Sequence, residues 1–320
     1  MKTLLAQPCR WLLVMGMLCI AHVSVTAQTD IDAIMMSKNN FCIGGMYSSS
    51  HWTDYWEGTL KRTNDNLGNV SMNMAGFMGT YGVSGKLNLL VGLPYVQTKA
   101  SAGTLHGDKG FQDLSLWVKW MPVETHVGNG LLSVYGIGGF SFPVTNYNPD
   151  FLPMSIGMHS KNLSLRAMAD YQAGHLFATA SGTYVVRSNI KIDRTSYYTT
   201  ELHLTNEVEM PDQSSFNIRA GYRSGRLIAE AIYNQMYTLG GFDITRNNMP
   251  FASNRMNAST LGINLKYTLK AISGLSLIGG GETTLAGRNV GQANSLTGGI
   301  FYILDFSHKQ KKSVPASNQK

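Results

Sequence analysis

The chain has 320 residues, 26 basic and 19 acidic, for a formal charge of +7, with only 14% charged residues beside 34 glycines and 15 tyrosines. Beyond the amino terminus it holds no apolar run of 18 residues, which argues against a helical membrane protein. It has no Lys/Arg stripe with interleaved aromatics, which argues against nucleic acid as a partner.

At the start, Lys2 and Arg10 flank the way into an apolar stretch at residues 11–21, and Val25-Thr26-Ala27 supplies small residues at signal-peptidase spacing. The pattern predicts a signal peptide over residues 1–27, cut after Ala27. A transmembrane helix is the other reading, but the run is short, contains Cys19 and His22, and has no stop-transfer flank. Neither Cys9 nor Cys19 follows the small-residue box of a lipoprotein. Cleavage would remove two bases and no acid, leaving 293 residues with 24 bases against 19 acids, a charge of +5. Of the cysteines only Cys42 would then remain, so an internal disulfide and a four-cysteine zinc site are excluded, and no metal or other cofactor is expected. Residues 28–40 read as a periplasmic lead segment. In it, Ile31, Ile34, Met35 and Met36 either enter the mouth of the following domain or only lead into its first strand.

From residue 41 to 306 one unit repeats: 10 to 14 residues of alternating apolar and small or polar side chains, closed by a break rich in Gly, Asn, Ser or Asp. A strand tilted by roughly 45° crosses a bilayer in about 9–11 residues with alternate side chains toward lipid and lumen, so the unit predicts an all-β, antiparallel up-and-down transmembrane barrel. The segments fall near 41–52, 68–81, 86–98, 111–121, 130–143, 160–172, 175–188, 213–223, 226–239, 257–269, 275–287 and 294–306, about twelve strands. The breaks alternate between short and long. Since outer-membrane barrels have short periplasmic turns and longer external loops, both termini belong in the periplasm. A soluble antiparallel sandwich shares the alternation but does not need the loop rhythm. Residues 197–204 also alternate, either as a loop hairpin or as an extension of neighbouring strands, and are assigned to the loop. The last strand ends in Phe306, an aromatic terminus of the kind the barrel assembly machinery reads, and a basic tail at 307–320 follows.

Leu87, Leu89, Val91, Leu93 and Tyr95 share one face, as do Leu261, Ile263, Leu265, Tyr267 and Leu269; these are expected to face outer-membrane lipid. The opposite faces carry the lumen candidates Lys86, Asn88, Asp113, Lys119, Arg166, Asp170, Arg187, Arg219, Glu230, Lys266, Glu282 and Asp305. A lysine or arginine facing lipid near the midplane costs roughly 2–4 kcal/mol, so such residues belong inside. A two-residue turn at Ser224-Gly225 would set Arg219 directly opposite Glu230, within reach of a charge-assisted pair. The mixed signs argue against a strongly ion-selective pore. They serve either a packed, filled interior or a path for a solute. No GxSxG or HExxH motif occurs; His126 and the pair His159-Ser160 lie in expected loops or turns, and no catalytic residue is assigned.

The run Tyr81-Gly82-Val83-Ser84-Gly85-Lys86-Leu87-Asn88-Leu89, continuing to Leu93-Pro94-Tyr95-Val96, and the run Gly110-Phe111-Gln112-Asp113-Leu114-Ser115-Leu116 with Lys119-Trp120, resemble the outer-membrane family named for the meta-pathway of phenol degradation. Phe142-Pro143-Val144-Thr145 falls at that family's strand-ending proline motif, and Gln112 departs from its usual Gly. The likeness is best over residues 70–190. It implies a barrel that moves small, often hydrophobic or aromatic solutes, loosely related to fatty-acid channels, and it implies no catalytic residues. The expected function is therefore a passive channel or transporter for small solutes. The alternatives are a structural or surface-interaction barrel, with the aromatic loop His51-Trp52-Thr53-Asp54-Tyr55-Trp56 as contact, and a lipid-modifying barrel enzyme.

Overall fold

The computed structural model describes residues 29–244 and 250–307; the expected signal peptide and all of the basic tail but Ser307 lie outside the described residues. Twelve long strands carry the fold: β1 Asn40–Trp52, β2 Val70–Ser84, β3 Leu87–Ala100, β4 Asp113–Val127, β5 Gly130–Pro143, β6 Asn162–Ala173, β7 Leu176–Arg187, β8 Gln213–Arg223, β9 Leu227–Thr238, β10 Asn257–Thr268, β11 Leu275–Arg288 and β12 Asn294–Asp305. Each pairs antiparallel with its sequence neighbours, and β1 pairs with both β2 and β12, so the sheet closes and leaves no edge. One extra strand, Lys109–Phe111, adds to β3 through Tyr95↔Phe111.

The connections at 85–86, 128–129, 174–175, 224–226 and 269–274 gather at one end of the barrel, the turn end, with the start of β1 and the end of β12. The other six connections, all but 289–293 long, form the loop end. Two turns rely on left-handed backbone, Gly128 at φ 58° and Gly174 at φ 59°, where a residue with a Cβ would be strained. Residues 197–204 do form a loop hairpin, Tyr197–Tyr198 with Leu202–His203. It sits over a small apolar core of Ile190, Ile192, Val208, Met210 and Phe251.

Two details differ from the sequence reading. The expected break at 122–129 is mostly strand: β4 continues to Val127, and the register slips between Trp120 and Val123 at Pro122, whose ring nitrogen has no hydrogen for the ladder. The β8–β9 turn closes one residue later than expected, because the Ser224 amide donates to the Leu227 carbonyl at 2.8 Å. Gly221, not Arg219, therefore lies opposite Glu230.

Burial is inverted relative to a soluble sandwich. On the outer face Ile263 is 64% exposed, and Leu89, Leu265 and Ile300 are exposed with it, whereas Lys119 on the inner face has no exposure at all. The alternation thus turns an apolar belt outward and sets polar side chains among small apolar clusters inside.

Candidate functional site

The interior is organised by residues 29–39, which turn back from β1 into the barrel, the first of the two courses the sequence left open for them. Asp32 folds this segment on itself. One carboxylate oxygen accepts the Thr29 amide at 2.6 Å and its hydroxyl at 3.0 Å, and the other accepts the Ile34 amide at 3.1 Å. The wall then grips the turn. Lys119 Nζ donates to Asp32 Oδ1 at 3.0 Å and to the carbonyls of Thr29, Asp32 and Ile34. Arg166 Nη1 reaches the Asp30 carbonyl at 2.9 Å and its carboxylate at 3.2 Å, and the Tyr135 hydroxyl donates to the Ala33 carbonyl at 2.9 Å. Apolar contacts complete the seat: Ala33 packs with Met121, Tyr135, Ile137 and Met168, and Met36 with Cys42, Phe301 and Ile303.

The grip has an electrostatic cause. Apart from Glu124 at the exposed turn-end rim, the wall from mid-barrel to the turn end presents the cations Lys119, Arg166, Arg219, Arg223 and Lys266 but only the acids Asp170, Glu230 and Glu282. Asp30 and Asp32 bring the acids to five. A buried charge without a counter-charge is costly, so an acidic strand end is the natural filler of such a lumen. Lys266, itself buried, also acts on Asp32 through its charge.

Of the residues proposed from sequence for the lumen, Arg219 and Glu230 form an ion pair at 2.8 Å, with Asn264 donating to the same Glu230 oxygen at 3.0 Å. The contact is diagonal, because slipping the register by two residues keeps both side chains on one face. Asp170 binds the Arg223 guanidinium at 2.8 Å and the Thr179 hydroxyl at 2.5 Å. Asn88 is buried on β3 opposite Lys119, and Glu282 accepts from Asn234 at 3.0 Å. Asp113 and Arg187 stand at the loop end of their strands. Two proposed residues lie elsewhere. Lys86 is exposed in the β2–β3 turn, and Asp305, exposed at the end of β12, accepts from the Ser307 amide and hydroxyl. Lys86 precedes β3 and Asp305 is the last residue of β12, paired with Asn40, so each stands at the turn-end rim. Asp30, Asp32, Tyr135 and Arg223 were missed from sequence, although two acids beside a surplus of inward cations were a readable signal.

Two cavities open toward the two ends of the barrel, and the inserted segment lines the second of them. One, of about 490 Å³, opens at the loop end, where Trp52, Tyr55, Ile156, Met158 and Val290 give it apolar walls and Arg187, Asp113 and Asn289 add polar groups. The other, of about 550 Å³, lies toward the turn end between Ala33, Met35, Tyr135, Asp170 and Arg223. Loops fix the first cavity. Tyr147 in the β5–β6 loop donates to Asp113 at 2.5 Å and accepts the His159 amide at 3.0 Å; burial, then the Asp113 acceptor, push its hydroxyl pKa upward, so it stays a donor. In the β9–β10 loop, Asp243 binds Arg288 Nε at 2.7 Å and Nη2 at 2.6 Å, and Asn289 Nδ2 at 2.7 Å. That guanidinium fork, with Asn289, holds the Asp243 carboxyl below the usual carboxylate range against a smaller effect of burial. His126 is exposed at the end of β4, and the Ser160 hydroxyl donates to Asn162 at 2.8 Å.

No protein-family model matches the chain, and no curated protein matches it. Among solved structures, an outer-membrane channel from Pseudomonas putida F1 is similar with a TM-score of 0.69 and 13% identity, over 87% of this chain and 100% of that one. The two share a fold. The translocator domain of the autotransporter NalP from Neisseria meningitidis follows at a TM-score of 0.43 and 10% identity, over 83% and 88%. The CymD monoaromatic hydrocarbon channel stands at 0.39 and 12%, over 85% and 90%.

Proposed function

We propose that this chain is an outer-membrane barrel that binds or admits small solutes through its interior, with the loops outside the cell and the termini in the periplasm. One observation carries the reading: a cavity of about 490 Å³ at the loop end and one of about 550 Å³ at the turn end, the second lined by a short segment held by side chains rather than by a β-ladder. The outward apolar belt, the signal-like start and the fold shared with an outer-membrane channel support the location. The apolar rings and aliphatic side chains of the loop-end cavity favour a solute with an apolar or aromatic body.

The purified barrel in planar bilayers or liposomes should show conductance or solute entry that rises when residues 29–36 are deleted. A barrel sealed with and without the segment would defeat this reading. It would instead favour a structural or surface-interaction barrel, which the interior ion pairs also suit. Lipid hydrolysis, if found, is assigned to the protein only if His→Ala variants lose it.

A further inference from the structure

The inner wall of β6, β7 and β8 carries four arginines in a column. Arg187 ends β7; four residues along, Thr183 pairs with Arg166; four further, Thr179 pairs with Arg219; and the Arg223 amide binds the His175 carbonyl four residues beyond. At about 3.3 Å per residue each step is roughly 13 Å along the strand. The column runs from the loop-end cavity, past the inserted segment, to the turn-end cavity.

Its members differ in what they hold. Arg223 pairs with Asp170 and Arg219 with Glu230, each with a wall residue at 2.8 Å. Arg166 pairs with Asp30 of the inserted segment, at the longer distance of 3.2 Å. Arg187 has no carboxylate. All 19 acidic residues of the chain lie among the described residues, and none comes within the 4.0 Å of an ion pair to its guanidinium. Its side chain donates to Gln213; nearby Asp212 takes the Arg187 backbone amide and the Tyr184 hydroxyl instead. Arg187 lines the loop-end cavity, whose one carboxylate, Asp113, lies three strands away and accepts the Tyr147 hydroxyl; it also borders a cavity of about 950 Å³ that Glu207, Glu209 and Asp212 line.

We propose that the loop-end cavity takes an organic carboxylate with an apolar body, its charge on Arg187, and that this solute moves inward by replacing Asp30 on Arg166. A single arginine with no carboxylate at ion-pair distance, set among Trp52, Tyr55 and aliphatic side chains, fits a monoanion with one apolar end better than a multivalent or fully polar anion. Asp30 is then the chain's own carboxylate on the second rung, and its exchange couples solute entry to loosening of the segment while Lys119 keeps Asp32. This rests on the reading of the barrel as a path for small solutes.

Benzoate and benzamide, alike in ring and size but not in charge, test it on the refolded full barrel. Isothermal titration should show benzoate bound at least about tenfold more tightly than benzamide, with Arg187→Gln abolishing the difference and Arg187→Lys keeping part of it. Lys86→Gln, in the exposed turn, should change neither. In the wild type, labelling of Arg187 by phenylglyoxal, read by peptide mass spectrometry, should be slowed by benzoate and not by benzamide. Equal affinities, or labelling indifferent to benzoate, overturn the assignment whether or not the variants fold. In bilayers under a sodium benzoate gradient, Asp30→Asn should move the reversal potential toward benzoate; no movement overturns the exchange step. Absence of any conductance in wild type and Asp30→Asn alike would count against the channel reading, and binding at Arg187 is measured without it.

Discussion

Lys119 on β4 and Asp32 in the inserted segment, 87 positions apart, form an ion pair of 3.0 Å in which the lysine side chain has no solvent exposure. The lysine also closes three backbone carbonyls of the segment, so one side chain provides most of the polar seat. Removing one partner of a buried pair costs about 3–5 kcal/mol when the other stays buried. Here Asp32 can escape that cost by leaving with its segment, while the twelve ladders remain closed.

Lys119→Met should therefore free the segment rather than unfold the barrel. Backbone amides of residues 29–36 are expected to lose protection in hydrogen exchange while the strands keep theirs, and mean single-channel conductance should rise. Unchanged protection at those amides would show that Lys119 does not hold the segment.

Arg219 and Glu230 have no such escape, since both stand on strands. Arg219→Ala leaves Glu230 buried with Asn264 as its remaining donor, and a loss of about 3–5 kcal/mol is expected in urea unfolding from lipid. The Arg219→Ala, Glu230→Ala double variant should lose clearly less than the sum of the single ones. Additive losses would mean that the 2.8 Å contact contributes nothing specific.

That pair also shows what was legible in the sequence. Side-chain alternation has a period of two, so a register difference of two residues leaves Arg219 and Glu230 on one face, and the same rule turns Leu89 and Ile263 outward and Lys119 inward. Register itself was not legible, because it hung on whether Ser224 or Gly225 opened the turn, and that is a hydrogen bond of 2.8 Å rather than a pattern. Pro122 hid the end of β4, for proline reads as a break and here only makes a bulge. Alternation says nothing about a segment without regular strand, which is why residues 29–39 could not be placed and why their two acids were not matched to the inward cations. The cavities were likewise invisible, since loops far apart in sequence close them.

The Asp243 clasp predicts a pH response at the loop end. Its carboxyl is depressed in the folded protein by the Arg288 fork, so the clasp's contribution is present above the unfolded carboxylate value of about 3.9 and is lost as pH falls through the lower folded value. Limited proteolysis within residues 239–244 and 250–256 should be slow at pH 7 and at pH 5 and should accelerate below about pH 4. Asp243→Asn should be cut quickly at every pH. A variant cut as slowly as the wild type at pH 7 would show that the clasp does not order this loop.

Two glycines of one sheet should respond oppositely to alanine. At Gly44 an added Cβ would lie 2.2 Å from the Phe301 ring and 2.6 Å from the Ile300 carbonyl oxygen. Phe301 is buried against Met36, Cys42 and Ile303, so the ring has little room to retreat. Overpacking of this kind costs about 1–3 kcal/mol. At Gly279, on the outer face, the nearest atom to an added Cβ is the Thr297 carbonyl oxygen at 4.0 Å, and the methyl would meet lipid. Gly44→Ala should lower the urea midpoint, and Gly279→Ala should leave it within error or raise it slightly through the strand's reduced backbone freedom when unfolded. Equal midpoints for the two would show that the contact between β1 and β12 beneath the inserted segment is loose enough to admit a methyl group, and the seat of Met36 with it.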